Sequence, residues 1–447
     1  MTPSQTTGAS LLDFSPDDAT PLAARGEVLV SRAALREMSD TLLEGLRAGG
    51  VQRAMVLSDD PVDILRALDA CGRAGADLFI AHTNLAEAHI EEVVDAHGIA
   101  CVISAAGDVM RQKPGAASDT PGAGRVFMMT SGTTGAPKIA EHSLESLLAR
   151  ARLGGRGASQ ASGKWLLTYQ PTGFAGVQVI LTAAITNGLI VSPLQRNPAG
   201  FFEAAKRWEV SQISGTPTFW RSFLMAASPQ ELALRQITLG GEASDQATLD
   251  RVKKAFPDAR ITHVYASTEA GVVFAVHDCL AGFPAEWLAG EGGESQKPGP
   301  QVRIRDGYLQ IKTANAMRGY LALAEQPMQD DGWLATADLC EIRGDRVHIL
   351  GRQDSTINVG GSKVYPLAVE SVLLSLPGVA EARVYGVPNP VSGALVGAEV
   401  VLEAGQDPAE ARPRILAACR EQLAGYQVPR VFKIVDAIES RASGKKG

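Results

Sequence analysis

The sequence predicts an α/β fold with two parts: a large N-terminal domain of parallel sheets, packed helices and distorted β structure, and a small α+β C-terminal domain. Three observations support this prediction. Short apolar strands alternate with helices over most of the chain, short β segments replace them after about residue 300, and the pattern changes again near residue 351. A chain of 447 residues also exceeds one usual domain. We expect residues 1–353 to form the first domain and residues 354–447 the second.

The N-terminal elements follow from composition and periodicity. Residues 1–25 are rich in Thr, Ser, Pro and Asp, and we expect a loose arm there. Beyond them, short apolar runs alternate with helical patterns, which is typical of a parallel sheet covered by helices. The predicted elements are strand 54–57, helix 61–74, strand 77–80, helix 86–96, strand 100–103, strand 126–129, strand 165–168, helix 177–186, strand 188–191, helix 201–208, strand 212–215 and strand 236–239.

The later elements are shorter and mixed. Residues 290–300 are rich in Gly, Glu and Pro and predict a turn. The last 90 or so residues combine two helices with three strands and predict a small α+β domain. The predicted elements are strands 302–304, 308–311, 339–342 and 347–349, helix 366–376, strands 382–387 and 398–402, helix 409–423 and strand 431–435.

The composition argues against several classes of protein. A net charge of −7 and a sequence pI near 5.6 argue against a nucleic-acid binder. No apolar run reaches membrane-spanning length, and the first residues lack the charged and apolar regions of a leader peptide. The cysteines are scattered and form no C-x-x-C pair, which predicts free thiols in a reducing cytoplasm.

A run of hydroxyl residues and glycines follows strand 126–129 and is the strongest single signal. The hydroxyls and backbone N–H groups of such a loop can surround phosphate oxygens, and Lys138 adds a positive charge. The run is not a P-loop, because Pro137 precedes the lysine and Ile139 follows it in place of Ser or Thr. The predicted phosphate-binding residues are Thr130, Ser131, Gly132, Thr133, Thr134, Gly135 and Lys138.

Residues 131–138 resemble the signature loop of the adenylate-forming superfamily, which includes acyl- and aryl-CoA ligases, firefly luciferase and the adenylation domains of peptide synthetases. Further motifs occur in the family's order from residue 126 to residue 445, in a form most similar to an acyl- or aryl-CoA ligase. The resemblance implies that a carboxylic acid attacks the α-phosphate of ATP and releases pyrophosphate. The acyl-adenylate then passes to a thiol. ATP and Mg²⁺ are implied as cofactors, with CoA as a candidate acceptor.

The segment that starts at Tyr265 resembles the family's motif of aromatic residue, glycine, any residue, Thr and Glu, with Ala266 in place of the glycine. The resemblance implies that Tyr265 stacks on adenine, that Thr268 contacts the α-phosphate and that Glu269 binds Mg²⁺. A second segment resembles the family's adenine-side Gly-Gly-Glu motif. The nucleotide-binding residues added by these two segments are Gly241, Glu242, Ala243, Tyr265, Ala266, Ser267 and Thr268.

Four further residues are implied by motifs towards the C-terminus. Asp338 resembles the family's aspartate that accepts hydrogen bonds from both ribose hydroxyls. Arg352 is implied to reach the ribose or the phosphates, and Asp354 is implied to be the hinge of the small domain. Lys445 resembles the catalytic lysine of adenylation, although residues 439–441 depart from the family pattern. The implied catalytic residues are therefore Lys138, Thr268, Glu269 and Lys445.

The acyl group is expected to lie in a hydrophobic slot that accepts an aromatic or medium apolar acid. Many family members have an aromatic residue or His before a glycine in the segment at 169–176, where this chain has Gly173 and Phe174. The predicted substrate-binding residues are Phe174, Gly176, Gly241, Gly271 and Val272.

The motifs serve the first half-reaction, so they leave the acceptor open. The acyl group could pass to CoA, to a carrier protein or, as an alternative, to an amine to form an amide. A different class of protein is a catalytically degenerate nucleotide binder, which the unusual segment before Lys445 suggests. Exchange between ATP and pyrophosphate, measured with a panel of acids, would separate an enzyme from a degenerate binder.

Overall fold

The computed structural model describes residues 17–105, 107–110, 124–130, 138–154, 163–289, 299–321 and 326–438. These residues fall into two compact units. The first is taken from residues 1–214, 267–272 and 314–326, and the second from residues 215–266, 273–313 and 327–447. This division by packing differs from the predicted division along the chain, and the boundary after residue 353 stays a prediction.

The N-terminal half alternates strands and helices as the sequence predicts. Its elements are β1 (Pro21–Arg25), β2 (Val28–Ser31), α1 (Arg32–Ala48), β3 (Arg53–Leu57), α2 (Pro61–Ala74), β4 (Asp77–Ile80), α3 (Glu87–Ala96), β5 (Cys101–Ser104), β6 (Val109–Met110), β7 (Arg125–Thr130), β8 (Lys138–Ser143), α4 (Leu144–Gly154), β9 (Lys164–Leu167), α5 (Phe174–Ile185), β10 (Leu189–Ser192), α6 (Pro198–Arg207) and β11 (Gln212–Gly215).

The C-terminal half contains more β structure. Its elements are α7 (Pro217–Ala226), β12 (Gln236–Gly240), α8 (Gln246–Ala255), β13 (Arg260–Ser267), β14 (Gly271–Val276), β15 (Phe283–Pro284), β16 (Gln301–Arg305), β17 (Tyr308–Lys312), β18 (Gly319–Tyr320), β19 (Leu334–Arg343), β20 (Arg346–Arg352), β21 (Ile357–Val359), β22 (Ser362–Val364), α9 (Pro366–Ser375), β23 (Val379–Asn389), β24 (Gly393–Leu402), α10 (Pro408–Gln422) and β25 (Val431–Ile434).

A seven-stranded sheet in the first unit has the order β18-β8-β7-β4-β3-β5-β6. Strands β3, β4, β5 and β7 are parallel, and helix α2 connects β3 to β4. The helix has the bounds that the sequence predicts: the Asp60 side chain caps its first turn, Pro61 begins it, and Gly75 ends it in a left-handed conformation with φ of 71°.

The predicted phosphate loop connects two antiparallel strands of this sheet. Strand β7 ends at Thr130 and β8 begins at Lys138, and these two residues are paired in the register. The loop therefore leads into a strand, whereas a P-loop leads into a helix.

The second sheet of the first unit corrects one prediction. Strands β11, β9, β10, β1 and β2 lie side by side in that order, and β1 runs parallel to β10. The prediction of a loose arm over residues 1–25 is wrong for residues 21–25, because Leu22, Ala23 and Ala24 are buried against β10. Helix α1 was also missed, although Leu35, Leu42 and Leu46 mark its buried face.

The second unit contains the parallel strands β12 and β13 and an antiparallel sheet of order β15-β20-β19-β17-β16. The residues that follow β20 form their own antiparallel sheet, β22-β21-β24-β23, with β25 parallel to β24. Helices α9 and α10 cover this last sheet with a separate apolar core that includes Val369, Leu373 and Ile415. The predicted α/β class is confirmed. No helix in the described part of the chain has the length and apolar content needed to cross a membrane.

We predict that Asp77→Ala lowers the free energy of unfolding by about 3–5 kcal/mol, because it removes one partner of a buried ion pair. The Asp77 side chain is 0% exposed, and its carboxylate accepts hydrogen bonds from the Arg125 backbone at 3.1 Å and from Arg125 Nη2 at 2.6 Å. Denaturant unfolding would measure the change. Arg152→Ala is the control, because its ion pair with Glu145 is exposed and should contribute less than about 1 kcal/mol. Equal effects of the two changes would contradict this account.

Candidate functional site

Three predicted site residues meet in the second unit, and we call Tyr265, Asp338 and Arg352 the Tyr265–Asp338 cluster. Strands β19 and β20 pair so that Asp338 lies opposite Arg352, and the two side chains approach to 3.9 Å. The Tyr265 hydroxyl, from the end of β13, donates a hydrogen bond to Asp338 Oδ2. Three segments that are far apart in the sequence thus converge on one carboxylate.

One face of the Tyr265 ring is covered by another aromatic ring. Phe274 stacks on it with ring centroids 5.3 Å apart and an angle of 21° between the planes. A base that stacks on Tyr265 would therefore lie on the opposite face. Burial, followed by the nearby Asp338 carboxylate, raises the pKa of Tyr265 well above its usual value, so the phenol stays a hydrogen-bond donor.

Glu242 has a partner that the sequence did not predict. Its carboxylate accepts hydrogen bonds from the Thr218 backbone N–H at 3.1 Å and from the Thr218 hydroxyl at 2.7 Å. Thr218 lies in the first turn of α7, where an anion is favoured by the unpaired N–H groups and the helix dipole. This contact fixes the turn that contains Gly241, which has φ of 84° and so favours glycine. The predicted adenine contacts of Gly241, Glu242 and Ala243 stay predictions.

A second group of residues meets in the first unit, and we call Lys138, Glu269 and Tyr320 the Lys138–Glu269 cluster. The Tyr320 hydroxyl donates a hydrogen bond to Glu269 Oε1, and the Lys138 ammonium lies over the Tyr320 ring, 5.2 Å from its centroid. Tyr320 is not among the residues that the sequence motifs predict. No local pattern marks it, because Glu269 is 51 positions away in the chain.

His142 lies beside this cluster in the first unit. Its ring is 1% exposed, and neither ring nitrogen has a hydrogen-bonding partner of normal geometry among the described residues. The ring centroid is 5.8 Å from that of Phe174. Burial lowers the pKa of His142 to about 4, against the opposing effects of the Thr268 backbone and Glu269. The ring is therefore neutral at pH 7.

The predicted acyl-slot residues of the first unit include one half-buried aromatic ring and two glycines that the local backbone requires. Phe174 is the first residue of α5 and is half-buried. A Cβ on Gly176 would lie 2.1 Å from the Gln170 carbonyl oxygen, and Gly271 has φ of 69°. These two glycines are thus required by the local backbone, and their predicted contacts with substrate stay predictions, as does that of Val272.

Part of the predicted phosphate site lies outside the described part of the chain. Residues 131–137 and Lys445 lie outside the described residues, as does the side chain of Thr130. Among the described residues, no group of three or more His, Cys, Asp or Glu side chains could hold a metal ion. The single carboxylate of Glu269 still fits Mg²⁺, because this ion is usually held by one or two carboxylates together with the phosphates of its nucleotide.

Comparison with known proteins identifies the family. A model of AMP-binding enzymes matches residues 105–321, and a model of the AMP-binding enzyme C-terminal domain matches residues 368–445. The fold and both matches define an adenylate-forming enzyme. The chain belongs to the AMP-binding enzyme family, in agreement with the resemblance of its motifs to the adenylate-forming superfamily.

Several relatives are similar over much of the chain. A feruloyl-CoA synthase from Amycolatopsis sp is 29% identical over 94% of this chain and 93% of its own length. A 2-succinylbenzoate–CoA ligase from Bacillus licheniformis is 28% identical over 71% of this chain and 68% of its own length. Among solved structures, the anthranilate CoA ligase AuaEII with anthranoyl-AMP superposes with a TM-score of 0.79 at 18% identity, over 98% of this chain and 96% of that chain.

We predict that His142→Phe becomes more stable relative to the wild type as the pH falls. The unfolded histidine takes up a proton near pH 6.5, whereas the folded ring does so only near pH 4. The wild type therefore loses up to about 3 kcal/mol between these values, a loss that the variant avoids. Denaturant unfolding at pH 7, 6 and 5 would measure the difference. A difference that does not change with pH would contradict the neutral buried ring.

We predict that Asp338→Ala raises the dissociation constant of ATP by roughly ten- to a hundredfold, because a ribose hydroxyl would lose its acceptor. Isothermal titration with ATP and with 2′,3′-dideoxy-ATP separates this effect from the loss of the Tyr265 contact. The wild type should prefer ATP, and the variant should bind both nucleotides equally. Tyr265→Phe is the matched control, and it should keep the preference. An unchanged preference in Asp338→Ala would rule out the ribose contact.

Proposed function

We propose that this protein activates an aromatic or medium apolar carboxylic acid with ATP and transfers the acyl group to the thiol of CoA. The observation that carries the proposal is the convergence of Tyr265, Asp338 and Arg352, from three separate motifs of the AMP-binding family, on one carboxylate. The relatives support the acceptor, since a feruloyl-CoA synthase and a 2-succinylbenzoate–CoA ligase are both named for CoA chemistry.

In the first half-reaction, a carboxylate oxygen forms a bond to the α-phosphorus of ATP, and the bond from that phosphorus to the bridging oxygen breaks. Pyrophosphate leaves with the electron pair. Tyr265 and Asp338 hold the adenosine, Arg352 contacts the ribose or the phosphates, and the loop from Thr130 to Lys138 holds the β- and γ-phosphates. Thr268 contacts the α-phosphate, and Lys445 stabilises its developing charge. Mg²⁺ at Glu269 would supply neutralisation of the phosphate charge.

In the second half-reaction, the thiol sulfur attacks the acyl carbonyl of the adenylate and AMP leaves. We propose that residues 354–447 turn about Asp354 between the two steps, because one face of this segment must serve adenylation and another must serve the thiol step. Asp354 lies in a single 3₁₀ turn, Gln353–Ser355, directly after β20. The same chemistry would also allow the thiol of a carrier protein to accept the acyl group in place of CoA.

The nature of the acid rests on Phe174 and on the relatives. The half-buried Phe174 ring offers an apolar surface, and both relatives named above act on acids that contain an aromatic ring.

All five cysteines are free, which is consistent with the predicted cytoplasmic location.

The test is exchange of radiolabelled pyrophosphate into ATP with a panel that runs from acetate to medium-chain and aromatic acids. An aromatic or medium apolar acid should support exchange at least tenfold faster than acetate, since each buried CH₂ contributes about 0.8 kcal/mol. CoA, carrier protein or amines are then added to identify the acceptor by mass spectrometry. No exchange with any acid would refute the proposal, and transfer only to an amine would refute its second half.

We predict that Lys445→Ala and Asp354→Pro affect different half-reactions. Lys445→Ala should slow adenylation by orders of magnitude and should still convert supplied acyl-adenylate to thioester. Asp354→Pro should slow the thioester step more than adenylation, because proline fixes φ at the hinge. Pyrophosphate exchange measures the first step, and thioester formation from synthetic adenylate measures the second. Equal losses in both steps for Lys445→Ala would make the lysine structural.

A further inference from the structure

A short segment of the first unit joins the strand after the phosphate loop to the turn that carries Glu269. We call residues 317–321 the bridging segment. The backbone N–H of Leu321 donates to the Ile139 carbonyl at 2.8 Å, and that of Met317 donates to the Glu269 carbonyl at 2.8 Å. Within the segment, β18 pairs antiparallel with β8, which places Tyr320 opposite Ala140. Five residues thus tie the two regions together through backbone hydrogen bonds.

Tyr320 adds side-chain contacts in both directions from this segment. Its hydroxyl donates to Glu269 Oε1, and its ring faces the Lys138 ammonium at 5.2 Å. Tyr320 and Glu269 are half-buried, whereas Lys138 is exposed. A cation over an aromatic ring is attracted by the negative face of the ring. One aromatic side chain therefore contacts two of the charged residues that the family motifs associate with the nucleotide.

The chemistry of the contact suits a metal-binding carboxylate. A carboxylate has two oxygens that can each accept more than one hydrogen bond, so a donor on Oε1 leaves Oε2 available to a cation. A phenol hydroxyl is a neutral donor, and it fixes the position of Glu269 without cancelling its negative charge. An arginine or lysine at this position would neutralise the carboxylate and compete with the metal.

We propose that Tyr320 is a positioning residue that holds Glu269 in the orientation in which it binds Mg²⁺ and keeps Lys138 beside it. The proposal rests on the proposed function, in which Glu269 holds the ion that accompanies ATP. Tyr320 acts through Glu269 and Lys138 and does not itself contact the metal.

The test compares Tyr320→Phe with the wild type by electron paramagnetic resonance of Mn²⁺, which takes the same oxygen ligands as Mg²⁺. In the presence of ATP, the dissociation constant of Mn²⁺ should rise by roughly ten- to a hundredfold, the loss expected when a hydrogen bond to a charged group is removed. Pyrophosphate exchange should need a similarly higher concentration of Mg²⁺, with nearly normal kcat at saturating Mg²⁺. The phenylalanine ring keeps the Lys138 contact, so the KM for ATP at saturating Mg²⁺ should be unchanged.

A double-mutant cycle separates positioning from a general structural effect. In the Glu269→Gln background, Tyr320→Phe should cause little further loss of Mn²⁺ affinity, because the two residues act together. Tyr426→Phe, which removes an exposed hydroxyl elsewhere, is the matched control and should leave Mn²⁺ affinity unchanged.

Two results would overturn the proposal: wild-type Mn²⁺ affinity in Tyr320→Phe, or an equal loss of affinity with and without the Glu269 carboxylate. If the wild type shows no pyrophosphate exchange with any acid, the proposed function fails. The Mn²⁺ and ATP titrations then still decide whether Tyr320 positions Glu269.

Discussion

The buried carboxylate of Asp77 is the constraint on which the central sheet of the first unit depends. An anion that is fully removed from water needs several partners, and Asp77 has them in Arg125 and, at 3.7 Å, in Arg53. Arg53 begins β3 and Arg125 begins β7, so the charge is compensated only when these strands flank β4 in the observed register. Strand β7 then runs to the start of the phosphate loop, and β8 returns from its end. The ends of the loop are thus held by a sheet whose register is fixed by buried charge.

In the second unit, backbone pairing between strands positions the charged residues of the candidate site. Strands β19 and β20 form a hairpin in which Asp338 and Arg352 face each other, despite an irregularity in the register between Leu339 and Cys340. Tyr265 reaches the same carboxylate from β13. Since each of the three residues is placed by a strand, the cluster needs no flexible loop to assemble it. A site on strands is held more firmly than one on loops, which suits the proposed contact with the ribose hydroxyls.

The sequence was most informative where local signals were strong. The observed bounds of α2 and β4 match the predicted ones because a capping Asp, a proline and a C-terminal glycine mark the helix. The sequence predicts a strand at 339–342, but β19 begins earlier and includes Asp338, because Ala335, Ala337 and Asp338 are residue types depleted in strands and weaken the strand signal there. The motifs named the charged residues of the candidate site. They could not name Tyr320, because its importance lies in a contact across 51 positions, and no local pattern encodes such a contact.

Two of the predicted ligand-binding carboxylates are held by tyrosine hydroxyls, Glu269 by Tyr320 and Asp338 by Tyr265. This choice of donor has a physical consequence. A buried carboxylate without a donor would be costly, whereas an arginine bound directly to Glu269 would compete with a metal ion for the same oxygens. A phenol whose pKa is raised, as that of Tyr265 is by burial and by Asp338, stays neutral and supplies one hydrogen bond. The tyrosine hydroxyl therefore gives each carboxylate a fixed orientation and adds no positive charge to it. That combination leaves it ready for a cation at one position and for hydroxyl donors at the other.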